Sequence, residues 1–345
     1  DAGIFTVVDL PGKGKGAIAT RNIKRGEVVL REKPLFVVPL RINTSPADLI
    51  AAQLVNLSPA DRAAFNNLSY VNFPAHLDPS EHPDQVALAI FQTNAVSAGE
   101  NVGIFPRMAR LNHGCSSAFN VVYTWREEGY LIVHALKNIP KGRELLTTYT
   151  NSKRPRNERR AYLSQQYGFH CTCDVCSLPD ALSKASDERL SAISALYDAF
   201  ATWGSNQIEG PEAIEHIRKI WELEDQEGYW SERGQLAADA TWIAAAHSDA
   251  ISTQAWAKLA IEWYSYEIGA DSSQVGVMKA VHAHPESHAA WGTRPPLTVR
   301  GPGELKSHTF TNVFNSQIFF FSYHRRRVVN FRVLTTLSCF LRYCA

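Results

Sequence analysis

The chain has 345 residues, 45% of them hydrophobic and 20% charged, with a net charge of +1. That profile excludes a disordered chain, predicts two or three folded domains, and leaves no global field to recruit nucleic acid or acidic membrane. Six cysteines are too sparse for a disulfide-stapled secreted domain, and no run of about 20 apolar residues offers a membrane span.

From the N-terminus, "FTVVDL" is a β-branched run, "PGKGKG" a turn-forming loop and "EVVLREKPLFVV" rich in strand formers. The first residue is Asp1, which leaves a preceding targeting segment open. Over residues 45–100 the texture changes. "SPADLIAAQLVNLSPADRAAF" sets Ser-Pro starts before apolar residues at helical spacing, which predicts a helical insertion. Strands return in "NVVYTWREEGYLIVHAL", with "REEG" as a hairpin turn, and "IPKGRELLTTY" reads as loop plus strand. Beyond residue 180, "DERLSAISALYDAFATW", "PEAIEHIRKIWEL", "GQLAADATWIAAAHSDAI" and "TQAWAKLAIEWYSYEIG" carry apolar residues at three- and four-residue steps, the pattern of stacked helical hairpins. Residues 296–345 mix aromatics and arginines without clear period or caps, and no function is assigned to them.

The chemistry concentrates in "YGFHCTCDVC", where Cys171, Cys173 and Cys176 lie within six positions. Such clustering predicts a reducing compartment and a zinc ion, which takes four ligands in a tetrahedron. The fourth is open among His170, Cys115, Cys339 and Cys344. Adjacent residues seldom both reach one ion, which weighs against His170. Cys339 and Cys344 belong to the irregular C-terminal segment. Cys115, 56 positions upstream of Cys171 (171 − 115), is the choice made here, since a ligand there would clip a distant loop across the domain.

Four motifs in order, "GKGKGAIATRNIKRGEVVLREKP", "RLNHGC", "IPKGRELLTTY" and "YGFHCTCDVC", resemble the SET-domain protein lysine methyltransferases. The closest likeness is to the SET–MYND branch, in the form of fungal SET proteins that lack the MYND finger. The motifs cover roughly residues 5–176, and together they are highly specific. The resemblance implies an α+β fold: a β-rich SET (β-clip) core split by a helical insertion, a post-SET zinc site, and a C-terminal helical-repeat, TPR-like domain. The corresponding division is 1–44 and 101–152 for the two SET parts, 45–100 for the insertion, 153–180 for the zinc segment, 181–295 for the helical domain and 296–345 for the tail.

It also implies transfer of a methyl group from S-adenosylmethionine to a protein lysine, in a histone or another protein, by a monomer of the cytoplasm or nucleus that needs neither nucleic acid nor membrane. Lys13, Gly14 and Lys15 match the loop that packs its backbone on the cofactor, where glycine permits close approach. Asn112 and His113 match the pair that holds the cofactor's methionine end and adenine, and Asn94 an asparagine near the same pocket. Tyr149 matches the active-site tyrosine, Tyr167 a second tyrosine walling the lysine channel, and Phe169 an aromatic near the cofactor. The structural metal would be held by Cys115, Cys171, Cys173 and Cys176.

Three features stand apart from the resemblance. "NHGCSSAFN" has Gly114 where the family carries serine, lacks its proline, and brings Asn120 two positions late, which predicts a bulged loop. "LLTTY" lacks the acidic residue often found beside the tyrosine. "KRPRNERR", with five basic residues, reads as a solvated helix start rather than a nucleic-acid patch. The alternative function is a SET-fold scaffold that keeps the zinc and binds protein partners through its helical domain.

Overall fold

The computed structural model describes residues 3–41, 43–303 and 305. Phe5–Leu10 (β1) and Gly14–Ala19 (β2) form an antiparallel hairpin, closed by the Lys13 amide donating to the Leu10 carbonyl at 3.0 Å. Its turn needs φ of +71° at Gly12 and +68° at Gly14, a conformation glycine adopts without strain. Val28–Glu32 (β3) and Val37–Pro39 (β4) follow and go to different sheets.

The insertion holds three helices, Pro46–Val55 (α1), Pro59–Asn66 (α2) and Pro83–Asn94 (α3). The Ser45 and Ser58 hydroxyls accept from the Asp48 and Asp61 amides, with Pro46 and Pro59 at the first helical position, as the Ser-Pro pairs predict. Its apolar side buries Phe65, Ile90 and Phe91 against Phe36, Val38 and Val102. Two short strands, Val96–Ala98 (β5) and Asn101–Gly103 (β6), lead out of it in a sheet ordered β4-β6-β5.

Asn112–His113 (β7) comes next, then the hairpin Val121–Arg126 (β8) and Tyr130–Ala135 (β9), which builds a sheet ordered β3-β9-β8. Leu146–Thr147 (β10) returns parallel to β7, pairing Leu146 with Asn112 and Thr147 with His113. This two-residue pairing decides the site, because it threads the Asn112–Cys115 loop beside Tyr149.

Arg156–Tyr167 (α4) ends at Gly168, whose φ of +67° breaks the helix directly before the cysteines. It starts within "KRPRNERR", but not as a solvated end. Arg159 is fully buried, pairing with Asp187 at 3.1 Å, and the buried Lys153 pairs with Glu232 at 2.6 Å. Both cations tie the segment before the cysteines to the helices that follow, which corrects the sequence reading of a solvated run.

Asp180–Ala201 (α5), Gly210–Glu227 (α6), Arg233–Ala246 (α7), Ala250–Tyr264 (α8) and Ser273–Ala283 (α9) complete the described chain, with α5 on α6, α7 on α8 and α8 on α9. "GQLAADATWIAAAHSDAI", which reads as one periodic stretch, breaks at Ser248 (φ +58°), and Asp249 caps α8 by accepting from the Ser252 amide. Trp203, Trp221, Trp256 and Trp263 fill this core, and Phe119 and Leu136 of the SET part join the same cluster. Residues 296–303 run on over the helices: Arg218 donates to the Gly301 and Pro302 carbonyls, and Trp256 Nε1 to the Arg300 carbonyl. Cys339, Cys344 and the rest of 306–345 lie outside the described residues. Among the described residues no helix is long and apolar enough to cross a membrane.

Candidate active site

The site is built where β2, β7, β10 and the segment after α4 converge. Asn112 is its hinge. Its Nδ2 donates to Glu144 Oε1 at 2.9 Å and to the Lys15 carbonyl at 3.3 Å, while Lys13 Nζ pairs with Glu144 Oε2 at 2.7 Å. The loop residues Lys13, Gly14 and Lys15 are thus gathered at Asn112. Gly16 lets them approach: a Cβ there would stand 2.3 Å from Leu10 Cδ1 and 2.8 Å from Asn112 Nδ2. Asn94 takes no part in this group. Its Nδ2 donates to the Ser69 and Ile90 carbonyls, both at 2.7 Å, so it ties the end of α3 to the preceding loop.

The loop "NHGCSSAFN" bulges, and the reason is legible in its contacts. A Cβ on Gly114 would lie 2.8 Å from the Phe119 amide, so the serine of the family pattern has no room. Ser116 sits at φ +25°, the Ala118 amide turns back onto the Cys115 carbonyl at 2.7 Å, and the extra residues are absorbed. Asn120, though late, is anchored three times: Nδ2 donates to the Glu144 carbonyl, Oδ1 accepts from the Leu146 amide, and its own amide donates to the Leu146 carbonyl, each at 2.9 Å.

The loop carries Cys115 to the three downstream cysteines. The sulfurs of Cys115, Cys171, Cys173 and Cys176 lie within 4.8 Å of one another, and Cys115 Sγ is 3.5 Å from Cys176 Sγ. His170 is exposed and outside the group. Four sulfurs at about 2.3 Å from one ion stand just under 4 Å apart, so this donor set fits a soft divalent cation. Hydrogen bonding among the thiols holds Cys173 well below the ordinary thiol range, and the same contacts, with Cys171 first, push Cys115 up. Crowded sulfurs cannot all ionise without a cation. Positive and donor groups surround them: Arg159 Nη2 lies 3.8 Å from Cys176 Sγ, the Cys115 amide donates to Cys173 Sγ at 3.4 Å, and Arg160 grips the Cys171 and Cys176 carbonyls.

Beside the cluster stand the aromatics. Tyr149 and Tyr167 rings lie 5.0 Å apart at 41°, Tyr162 is 6.5 Å from Tyr167, and Phe169 is 6.2 Å from His113. The Tyr149 hydroxyl donates to the Leu111 carbonyl at 2.8 Å, and burial pushes its pKa up, so it stays protonated. Burial does the same to Tyr167, with Tyr162, Tyr149 and Tyr123 adding to it. Burial also depresses His113 to about 4 and keeps it neutral.

Comparison with known proteins identifies the family. Residues 14–150 match the SET domain family. "Histone-lysine N-methyltransferase set5" of Schizosaccharomyces pombe is 30% identical over 293 residues, covering 83% of this chain and 86% of that one. The chain belongs to the SET-domain lysine methyltransferases. A further relative, "Histone-lysine N-methyltransferase SMYD3" of Mus musculus, is 31% identical over 130 residues, covering 38% of this chain and 26% of that one. The solved structure described as "Structure of Rubisco LSMT bound to AdoMet" overlaps 85% of this chain and 91% of that one, at 11% identity and a TM-score of 0.37, a likeness too loose to carry an argument.

Within this SET enzyme, sequence reasoning missed Gly16, Glu144 and Tyr123. Gly16 could have been found, since it is the third glycine of "GKGKG". Glu144 looks like any strand-edge carboxylate in sequence; only the fold aims it at Lys13 and Asn112. Tyr123 reads as a half-buried strand residue, yet burial pushes its hydroxyl up to about 12, and its charge would add to the upward shift at Tyr167.

Proposed function

We propose that this SET-domain enzyme methylates a lysine side chain of a histone or another protein at the Tyr149–Tyr167 wall, using S-adenosylmethionine bound along Lys13–Lys15 and Asn112–His113. The observation that carries the reading is the convergence of those elements: a glycine-lined loop, the Asn112 hinge and two tyrosines meet beside one four-sulfur cluster. The cofactor, when bound, supplies a methyl group on a positively charged sulfur.

What the chain's residues must do is present a neutral amine in line with it. The faces of Tyr149 and Tyr167 attract the incoming ammonium and strip its water, and desolvation lowers its pKa so that it gives up its proton to bulk water on entry. The Tyr149 hydroxyl has its own proton committed to the Leu111 carbonyl, so its remaining lone pairs accept from the amine and hold it in one direction. Phe169 and Tyr162 complete an apolar surround that excludes water. Gly16 and Glu144 hold the loop in place from behind.

The four thiolates would bind one structural zinc, which fastens residues 167–176 against the Asn112–Cys115 loop and so keeps Tyr167 opposite Tyr149. Arg159 and the Cys115 amide offset the negative charge that four thiolates place on the ion. The helices after residue 180 are read as a helical-repeat domain roofing the substrate cleft, and histone-directed relatives favour the nucleus or cytoplasm. The test is methyl uptake from labelled S-adenosylmethionine with histone and lysate substrates. Tyr149→Phe is expected to cut turnover by about 100-fold, or to change the number of methyls added, with the donor still bound. Unchanged turnover and methylation state in that variant overturns its role.

A further inference from the structure

The His113 imidazole stands between the sulfur cluster and the tyrosine. Its Nδ1 accepts the Tyr149 backbone amide at 3.0 Å, and its Nε2 lies 3.1 Å from Cys115 Sγ. A backbone amide only donates, so the lone pair is on Nδ1 and the ring proton sits on Nε2, facing sulfur. The ring is buried, packed at 5.5 Å from the Tyr149 ring and 6.2 Å from that of Phe169. Tyr149 is therefore gripped twice from one short stretch of chain: its hydroxyl by the Leu111 carbonyl, its amide by His113.

We propose that His113 is a positioning residue whose side chain couples the sulfur cluster to Tyr149, holding the tyrosine's amide with one nitrogen while the other donates to the Cys115 thiolate. This rests on the reading that the cluster holds a metal. A metal-bound thiolate is a stronger acceptor than a thiol, so the ring is fixed firmly only when the cluster is loaded. The tyrosine hydroxyl is then placed by metal occupancy through one imidazole. This task is separate from the cofactor contact proposed above for the Asn112–His113 pair, and it requires that a structural ion affect turnover as well as stability. Moving a reacting group by about 1 Å costs on the order of 100-fold in rate.

The experiment uses the full chain with cobalt in the cluster, comparing wild type with His113→Phe, which keeps the ring contacts and removes both hydrogen bonds. The variant is expected to bind one cobalt ion, with its thiolate-to-metal charge-transfer band moved to lower energy because the sulfur has lost a donor. Turnover falls by roughly tenfold or more, and saturating S-adenosylmethionine does not restore it. An unmoved band overturns the proposal, and so does a loss confined to donor binding that saturation repairs. Wild-type protein that takes up neither cobalt nor zinc sinks the metal reading instead, a separate result. Should the variant fail to fold, wild type loaded with NMR-active cadmium and isotope-labelled histidine decides: a scalar coupling between cadmium and the His113 Nε2 proton supports the bond, and its absence overturns it.

Discussion

Residues 167–176 and the helices from Asp180 to Ala283 are neighbours in sequence and are held by opposite means. The helices bury tryptophans: Trp221 and Trp263 are at most 1% exposed and meet edge to face at 5.7 Å. Apolar area of that size stabilises a region without help. Past the end of α4 at Tyr167 the cysteine segment has no helix or strand, and its small apolar cluster is made mostly of sulfurs and tyrosines. Its sulfurs meet Cys115 from a distant loop. Apolar burial is thus concentrated in the helices, and the wall proposed for the site stands beside four thiols.

The comparison is broken most severely at the cluster. Cys173→Ser, or chelation of the metal, is expected to lower methyl transfer by more than about 100-fold while helical circular dichroism is largely kept. A chain that unfolds throughout on chelation would show the two regions to be one cooperative unit. The converse change is Trp221→Ala, which leaves a cavity among Trp263, Ile217 and their neighbours. It should cost about 3–5 kcal/mol in urea unfolding with the metal still bound.

Acid sharpens the contrast on the sheet side. Burial, with Arg126 adding to it, depresses His134 to about 4 from its ordinary 6.5, and its Nδ1 has no hydrogen-bond partner. A depressed group stabilises the fold above its unfolded value, and that contribution is lost as pH falls through the folded one. Between pH 6.5 and 4 stability should drop by up to about 3 kcal/mol from this residue, and His134→Gln should flatten the melting curve over that window. The smallest effect is expected at the hairpin. Gly16→Ala forces Leu10 and Asn112 aside and should weaken S-adenosylmethionine binding by about tenfold in a titration, with saturated turnover nearly unchanged.

Legibility in the sequence followed locality. Ser45-Pro46 and Ser58-Pro59 declared their helices because a cap is satisfied within three residues. "REEG" declared its hairpin because Arg126 pairs with Tyr130 across it. The break at Ser248 was hidden, since the apolar steps of "GQLAADATWIAAAHSDAI" run through it and only a left-handed residue marks the turn. Lys153 and Arg159 were misread for a related reason: a basic run reads as solvated until Glu232 and Asp187 arrive from distant helices.

By itself, the sequence determined the family and the pool of reactive groups, because four ordered motifs and three clustered thiols are local patterns. It also favoured Cys115 as the fourth ligand among four candidates. Only the tertiary structure decided that Cys115 joins the trio, that Asn94 spends its amide on the Ser69 and Ile90 carbonyls, and that His113 turns its ring between sulfur and Tyr149. Those outcomes depend on the parallel pairing of two residues in β7 with two in β10, contacts more than 30 positions apart along the chain. No local propensity encodes such a contact; it forms when the apolar faces on either side are buried together.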